Sequence, residues 1–317
     1  MQITTLSFQK SKRLSVVQFS SLSKNTFDYI SADIAMKSNF IEVKEISKEG
    51  EVNTLFLINH SEKFVFLMDG DILQGAKQNR VLNTSVLVAP NSKINLPVSC
   101  VEQGRWNYVS NKFDTSEYIS PQKLRAKKAE SVKESLRSKR KYFADQGEVW
   151  DDVSDYSMVY NVASPSMNLS DVFENKKKDF EEFIKNFSVN TDANGLAVFT
   201  DKNLLSIDLF NRTDIYQEYF PKILRSTAME VFHLKDKENL ITEAEAIFKT
   251  VDLFDNLEKI EHKIHPGVGV GKEKRFDSEK LTGFELDYQN HLIHLTLLRL
   301  DEDSNENKSI RRRLRVF

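Results

Sequence analysis

The sequence predicts an α+β fold, a largely antiparallel β layer covered by several helices. Three observations carry this expectation. Before Ser120, apolar and β-branched residues come in short runs broken by turn signals: LSVVQF, VNTLFLI, KFVFLM, VLNTSVLVA and INLPVSCVE. Except between the first two, the few residues separating these runs leave no room for the crossover helices of a parallel sheet, so consecutive antiparallel pairing is the simplest topology. After Ser120 the apolar spacing becomes helical, and strand-like runs return only later in the chain.

Taken in order, turns are expected at 59–63, 69–71 and 90–93, where polar residues, Gly and Pro interrupt the apolar runs. Ser120 can cap a helix that begins at Pro121, with Leu124, Val132, Leu136 and Phe143 as its apolar stripe. The other faces of that helix are basic (KLRAKK, RSKRK). They read either as phosphate-attracting or as a solvated outer face. Residues 145–173 show no clean period and are expected to be loops with a short helical turn. A helix follows in VFENKKKDFEEFIKNF, where Phe180, Phe183, Ile184 and Phe187 form a stripe. The segment around Asp201, Lys202 and Asn203 predicts a hairpin joining LAVFT to LLSIDLF. Another helix is expected over 214–234, bending near Pro221, and one more opens at Thr242 with Glu245 closing a capping box. KLTGFELDYQ and HLIHLTLLRL form a final strand pair, followed by the basic end KSIRRRLRVF. The expectation is one α+β domain over 1–317 that can divide into a strand-rich lobe (about 1–120) and a mixed lobe (about 121–317).

With 317 residues, a formal charge of -2 and 29% charged residues, the chain has no bulk preference for nucleic acid or anionic membrane. It opens MQITTLSFQKSKRLS, without a basic-then-apolar leader, and no apolar run approaches the ~20 residues of a membrane span. A cytoplasmic protein with no membrane partner is expected. A single cysteine, Cys100, excludes an internal disulfide and a thiolate-rich zinc site. It falls on the apolar phase of its strand and reads as inert. The six histidines form no metal motif; the alternative is an oxygen-rich magnesium site at Asp69, Asp71 or Asp208, although scattered acids are nearly always surface or turn residues. No metal is expected, and no pattern identifies a cofactor.

The candidate site is GDILQGAKQNRVLNTSVLVAPNSKINLPVSCVEQGRW. In INLPVSCVE, alternation puts Glu102 in phase with Ile94, Leu96, Val98 and Cys100, so a carboxylate stands where burial is expected. Such a group needs a counter-charge, and Arg80 or Arg105 can supply it. The pair is either a structural bridge or a carboxylate held beside a ligand. Gln78 and Asn79 offer amides suited to heterocycles, while Lys77 and Arg80 add cationic donors for phosphate or carboxylate. Gln103, Gly104, Arg105 and Trp106 follow, with Trp106 either a stacking surface or a core residue. In HPGVGVGKEKRF, Gly267, Gly269 and Gly271 lie near cations and can cradle a phosphate, or form an ordinary turn.

At GAKQNR, VSCVEQGRW, SIDLF and the late GVG followed by a histidine-bearing strand, the chain resembles the ADP-ribosylglycohydrolase- and rhodanese-phosphatase-associated domain family. Gln78, Asn79, Arg80, Pro97, Cys100, Glu102, Gly104, Arg105 and Trp106 match its first block. Asp208 and Phe210 match the middle block, and Gly269, Gly271 and His294 the last. The resemblance carries no established activity. It implies a ligand related to ADP-ribose, NAD or a phosphorylated nucleoside.

The expected function is therefore binding or hydrolytic processing of such a nucleotide-like small molecule. Glu102 would be the catalytic acid/base, and Lys77, Gln78, Asn79, Arg80, Gln103, Arg105, Trp106, Gly269, Gly271 and His294 would be ligand contacts. The alternatives are a noncatalytic sensor or scaffold with a protein partner and, third, nucleic-acid binding through the basic helix and tail.

Overall fold

The computed structural model describes residues 1–21, 27–138, 141–235, 237 and 240–300. Among these residues the fold is α+β, with three sheets. The largest has eight strands, all paired antiparallel, in the order β1 (Ile3–Ser11), β2 (Leu14–Ser21), β12 (Gly195–Thr200), β13 (Asn203–Phe210), β17 (His291–Arg299), β16 (Leu281–Tyr288), β15 (Lys272–Asp277) and β14 (Glu261–Pro266). A six-stranded sheet runs β11 (Phe113–Ile119), β7 (Asp71–Gly75), β8 (Arg80–Leu82), β10 (Lys93–Cys100), β5 (Thr54–Asn59) and β4 (Ile41–Glu45). The third sheet joins β3 (Tyr29–Ser31), β6 (Phe64–Leu67) and β9 (Val86–Val88), and its β3–β6 pair is parallel.

Consecutive pairing therefore holds only in part. VLNTSVLVA is not one strand: it divides at Asn83–Thr84–Ser85 into β8 and β9, which belong to different sheets. The first strands are also displaced in space from their sequence neighbours, because β2 pairs with β12 from Leu14 to Phe19. At its centre, both faces of the eight-stranded sheet are covered. Val16, Leu196 and Val198 enter one apolar cluster with the helices α4 (Leu169–Ile184) and α5 (Thr213–Val231), while Val17, Ala197 and Phe199 enter another with α6 (Glu243–Asn256). Such two-sided burial explains why these strands read as continuous apolar runs rather than alternating ones.

Several expected elements are present. The β12–β13 hairpin turns through Asp201 and Lys202, with Asp201 at φ 53°. Thr242 and Glu245 form the reciprocal capping box, and β16–β17 are the predicted final pair. Pro221 lies inside α5. Two expectations need correction. Residues 145–173 are not mainly loop, since Gln146–Val159 form a fourteen-residue helix, α3, capped by Asp145. Its Gly, Ser and Asp content hid the spacing of Val149, Val153, Tyr156 and Tyr160. Lys272–Asp277, read as the cationic flank of a glycine loop, is strand β15.

The basic helix α2 (Gln122–Arg137) covers a sheet, as one reading of its charges expects, but its cations are not simply a solvated outer face. Pro121 occupies its N-cap, and the helix lies against β16 and β17. Arg125 is 0% and Lys128 2% exposed. Lys127 pairs with Asp152, Lys133 with Glu130 and Asp277, and Arg137 with Glu134 and Asp277. These cations hold the helix to its surroundings instead of forming an open phosphate-attracting face. Lys139, Arg140 and the arginines of the C-terminal tail lie outside the described residues.

Candidate functional site

The turn between β7 and β8 and the loop after β10 are built as one unit. Asn79 carries much of the connection: its carbonyl accepts from Val101 N (3.1 Å), its N–H donates to Glu102 Oε2 (3.0 Å), and its side-chain Oδ1 accepts from Gly75 N (3.1 Å). Ala76 N donates to Ser110 Oγ, and Ala76 O accepts from Val109 N. Gly104 admits a protein backbone rather than a ligand, since its N–H donates to Ser166 O at 2.8 Å and a Cβ there would lie 2.9 Å from Ser166 Cα.

Glu102 is 4% exposed, and its counter-charge is Arg105. Arg105 Nε donates to Oε1 at 2.8 Å and Nη2 to Oε2 at 2.6 Å. Ser166 Oγ adds a bond to Oε1 (2.9 Å), so with Asn79 N each oxygen accepts twice, always from protein. That fills the acceptor capacity of a carboxylate. Arg105 is used as completely, because its Nη1 also donates to Ala76 O and Asn107 O and its Nη2 to Gly75 O. The pair acts as a clamp that fixes the loop carrying Trp106.

Arg80 is different. It opens β8, pairs with Cys100 across the ladder and is 0% exposed. Nη1 donates to Gln78 Oε1 at 2.9 Å, whereas buried Nε and Nη2 have no hydrogen-bond partner. The facing carboxylate is Glu45, at the end of β4, with Oε1 3.8 Å from Nη2 and Oε2 also without a partner. Burial lowers the pKa of Arg80, opposed by Cys100 and Glu45; burial raises that of Glu45, opposed chiefly by Arg80. The Trp106 ring lies over both cations, 5.5 Å from Arg80 Cζ and 5.0 Å from Lys77 Nζ, and Tyr108 lies 5.2 Å from Lys77 Nζ. Lys77 Nζ itself donates to Glu49 O at 2.6 Å. Trp106 is 41% exposed and is not the core residue its type allowed. Gln103 is exposed, and its carbonyl accepts weakly from Gln78 Nε2. Cys100 is buried and its thiol is pushed up by burial, which fits an inert role.

The comparison with protein families covers all three sequence blocks: residues 2–298 match the model of the ARG and Rhodanese-Phosphatase-superfamily-associated Protein domain. The chain belongs to this family. No curated protein and no solved structure matches it. The family's name records an association with ADP-ribosylglycohydrolase and rhodanese-phosphatase proteins.

In this family member, the residues of the middle and last blocks have partners different from those of Lys77–Trp106. Gly269 packs on β9, where a Cβ would stand 2.1 Å from Leu87 O, and Val270 N donates to the same oxygen. Gly271, at φ 101°, meets Asp287 O in the same way. Backbone approach accounts for both glycines. His294 is 0% exposed, with Nδ1 3.0 Å from Ser85 Oγ, Nε2 3.5 Å from Asp208 Oδ1 and its ring tilted against Phe66 and Phe210. Oxygens of Asp69 and Asp208 come within 4.8 Å of a His294 nitrogen, a spacing that suits a metal ion. Arg125 occupies that role: it binds Asp69 through Nε and Nη2 (both 3.0 Å) and Asp208 through Nη1 and Nη2 (3.2 and 2.6 Å), and also reaches Thr296. Asp71 is turned elsewhere, accepting from Met68 N and Tyr219 OH.

Beside this network Lys128 Nζ donates to Leu82 O, and burial pushes its pKa down to about 7. A folded-state value below the unfolded one means that the unfolded chain binds more protons between about pH 7 and pH 10. Wild-type stability should therefore gain up to ~1.4 kcal/mol per pH unit from this group across that window. Lys128→Met is expected to lack this component. Urea titrations of both proteins at pH 7, 8 and 9 measure it, and identical slopes would refute the assignment.

Sequence reading missed Glu45, Arg125 and Lys128. A signal existed for Glu45: in IEVKE it shares the buried phase of Ile41 and Val43, as Glu102 shares that of Cys100. The buried helix cations gave none, because their spacing is that of any basic helix.

Proposed function

We propose that this chain binds a phosphorylated nucleoside or ADP-ribosyl ligand at the Arg80–Trp106 site. One observation carries the reading: a fully buried guanidinium whose Nε and Nη2 have no hydrogen-bond partner. Those two groups form one edge of the arginine fork, which matches two oxygens of a phosphate. Leaving buried donors unmade costs on the order of 1–3 kcal/mol each, which a ligand oxygen recovers. Trp106 and Tyr108, both partly exposed beside Lys77, supply flat faces for a base. The family's association with ADP-ribose enzymes points to the same ligand class.

Binding is better supported than hydrolysis through Glu102. A general base must be free to take a proton from a bound water or substrate, and all four bonds of this carboxylate are to protein. A second reading, a scaffold, is favoured by the exposed apolar run of Trp106, Tyr108 and Val109 on this loop.

Isothermal titration calorimetry with ADP-ribose, NAD and AMP tests the proposal. Saturable binding is expected to weaken about 5- to 100-fold in Trp106→Ala, from loss of a stacked base. Arg80→Lys, which keeps charge but not the fork, should weaken it by about 10-fold. Absence of binding by all three compounds would leave the scaffold reading.

A further inference from the structure

We infer that Glu45 is the arm of this site that recognises a hydroxyl, its free Oε2 accepting from a ribose hydroxyl of the ligand whose anionic group Arg80 holds. The inference rests on the binding proposal above and specifies the ligand further. Glu45 is 8% exposed, with its side chain only 3% exposed. Its contacts are few: Lys77 N donates to Oε1 at 3.4 Å, and Arg80 Nη2 stands 3.8 Å from the same oxygen. A closed charge-assisted bond would measure about 2.7–2.9 Å. The two charges are therefore apposed without being joined, and each keeps unmade hydrogen bonds toward a third group.

The place of Oε2 identifies that group. A Cβ built on Gly50 would lie 3.2 Å from Glu45 Oε2, 3.3 Å from Lys77 Cδ and 3.4 Å from Trp106 Cζ2. Gly50 thus packs against both the unpartnered oxygen and the edge of the Trp106 ring, and a nucleoside stacked on that ring would bring its sugar to this turn. A second anionic oxygen there would be repelled by the carboxylate. A hydroxyl donates to it and can accept from Arg80 with its lone pairs. A phosphorylated nucleoside presents both kinds of group, one ribose apart. An inorganic phosphate presents only the first.

The test is calorimetry with AMP and its 2′,3′-dideoxy analogue on the full-length protein. Wild type should bind AMP about 10- to 100-fold more tightly than the analogue, the range of a hydrogen bond to a charged group. Glu45→Ala should bind the two alike, after a thermal melt confirms that it folds. Glu45→Gln, closer in shape, should lower the ratio below about 10-fold, because a neutral acceptor makes a weaker bond. Equal binding by wild type overturns the role of Glu45 and leaves the nucleotide reading standing. An undiminished ratio in both variants moves hydroxyl recognition to another residue and also overturns it. No binding of AMP or ADP-ribose by wild type overturns both.

Discussion

Arg125→Met is expected to lower the unfolding free energy by about 3–5 kcal/mol, the usual consequence of removing one partner from a buried ion pair. Arg125 is completely buried and bonded to two buried carboxylates, Asp69 and Asp208, so its loss strips both of their guanidinium partner. Thermal melting should fall by about 10 °C at the few degrees per kcal/mol typical of chains this large. The triple variant Arg125→Met, Asp69→Asn, Asp208→Asn should recover most of the loss, because replacing a whole buried ionic cluster with neutral groups is often nearly neutral.

The acid limb gives a sharper readout. Burial alone would raise Asp208, but Arg125 and His294 overcome it and hold this carboxyl well below the usual carboxylate range. Its stabilising contribution is therefore present above the unfolded value near pH 4 and is lost as pH falls toward the folded value. In Arg125→Met the main opposing charge is gone and burial raises the group instead. The variant should then become relatively more stable as pH falls from 7 to 4. Urea titrations at pH 7, 5.5 and 4 measure the difference, and parallel pH profiles would rule out Arg125 as the controlling cation.

What the sequence made legible follows from which forces are local. The Thr242–Glu245 capping box and the hairpin at Asp201–Lys202 were readable because a few neighbouring residues determine them. Glu102 was readable as buried because alternation along a strand is local too. Its partner was not, since Arg80 and Arg105 were equivalent in sequence and only the turn at 76–79 decides that Arg105 closes on it. The pairing of β2 with β12, and the splitting of β8 from β9, depend on contacts far apart in the chain. Arg125 and Lys128 show the limit most plainly. A lysine or arginine on a helix is ordinarily solvated, and only the carboxylates of Asp69 and Asp208, supplied by other elements, make an interior position tenable for Arg125.

Arg105→Ala should separate the clamp from chemistry at Glu102. The substitution strips Glu102 of both guanidinium bonds and leaves a 4%-exposed carboxylate held only by Ser166 and Asn79. Ala76 O, Gly75 O and Asn107 O lose donors at the same time. A destabilisation of about 2–4 kcal/mol is expected from the unpaired buried charge and these open acceptors. Trp106 is the next residue, and its place over Lys77 and Arg80 depends on the loop that Arg105 ties down. Loss of both stacking and positioning should weaken ADP-ribose binding by more than about 100-fold. Glu102→Gln is the informative companion. It keeps the shape and an acceptor for Arg105, so a clamp predicts a loss of about 1–2 kcal/mol and binding within about 10-fold of wild type. A catalytic carboxylate predicts the reverse pattern, with stability and binding kept and turnover of bound ADP-ribose abolished. Melting temperature, calorimetry and product analysis on the two variants distinguish these outcomes, and the saturated hydrogen bonding of Glu102 predicts the first.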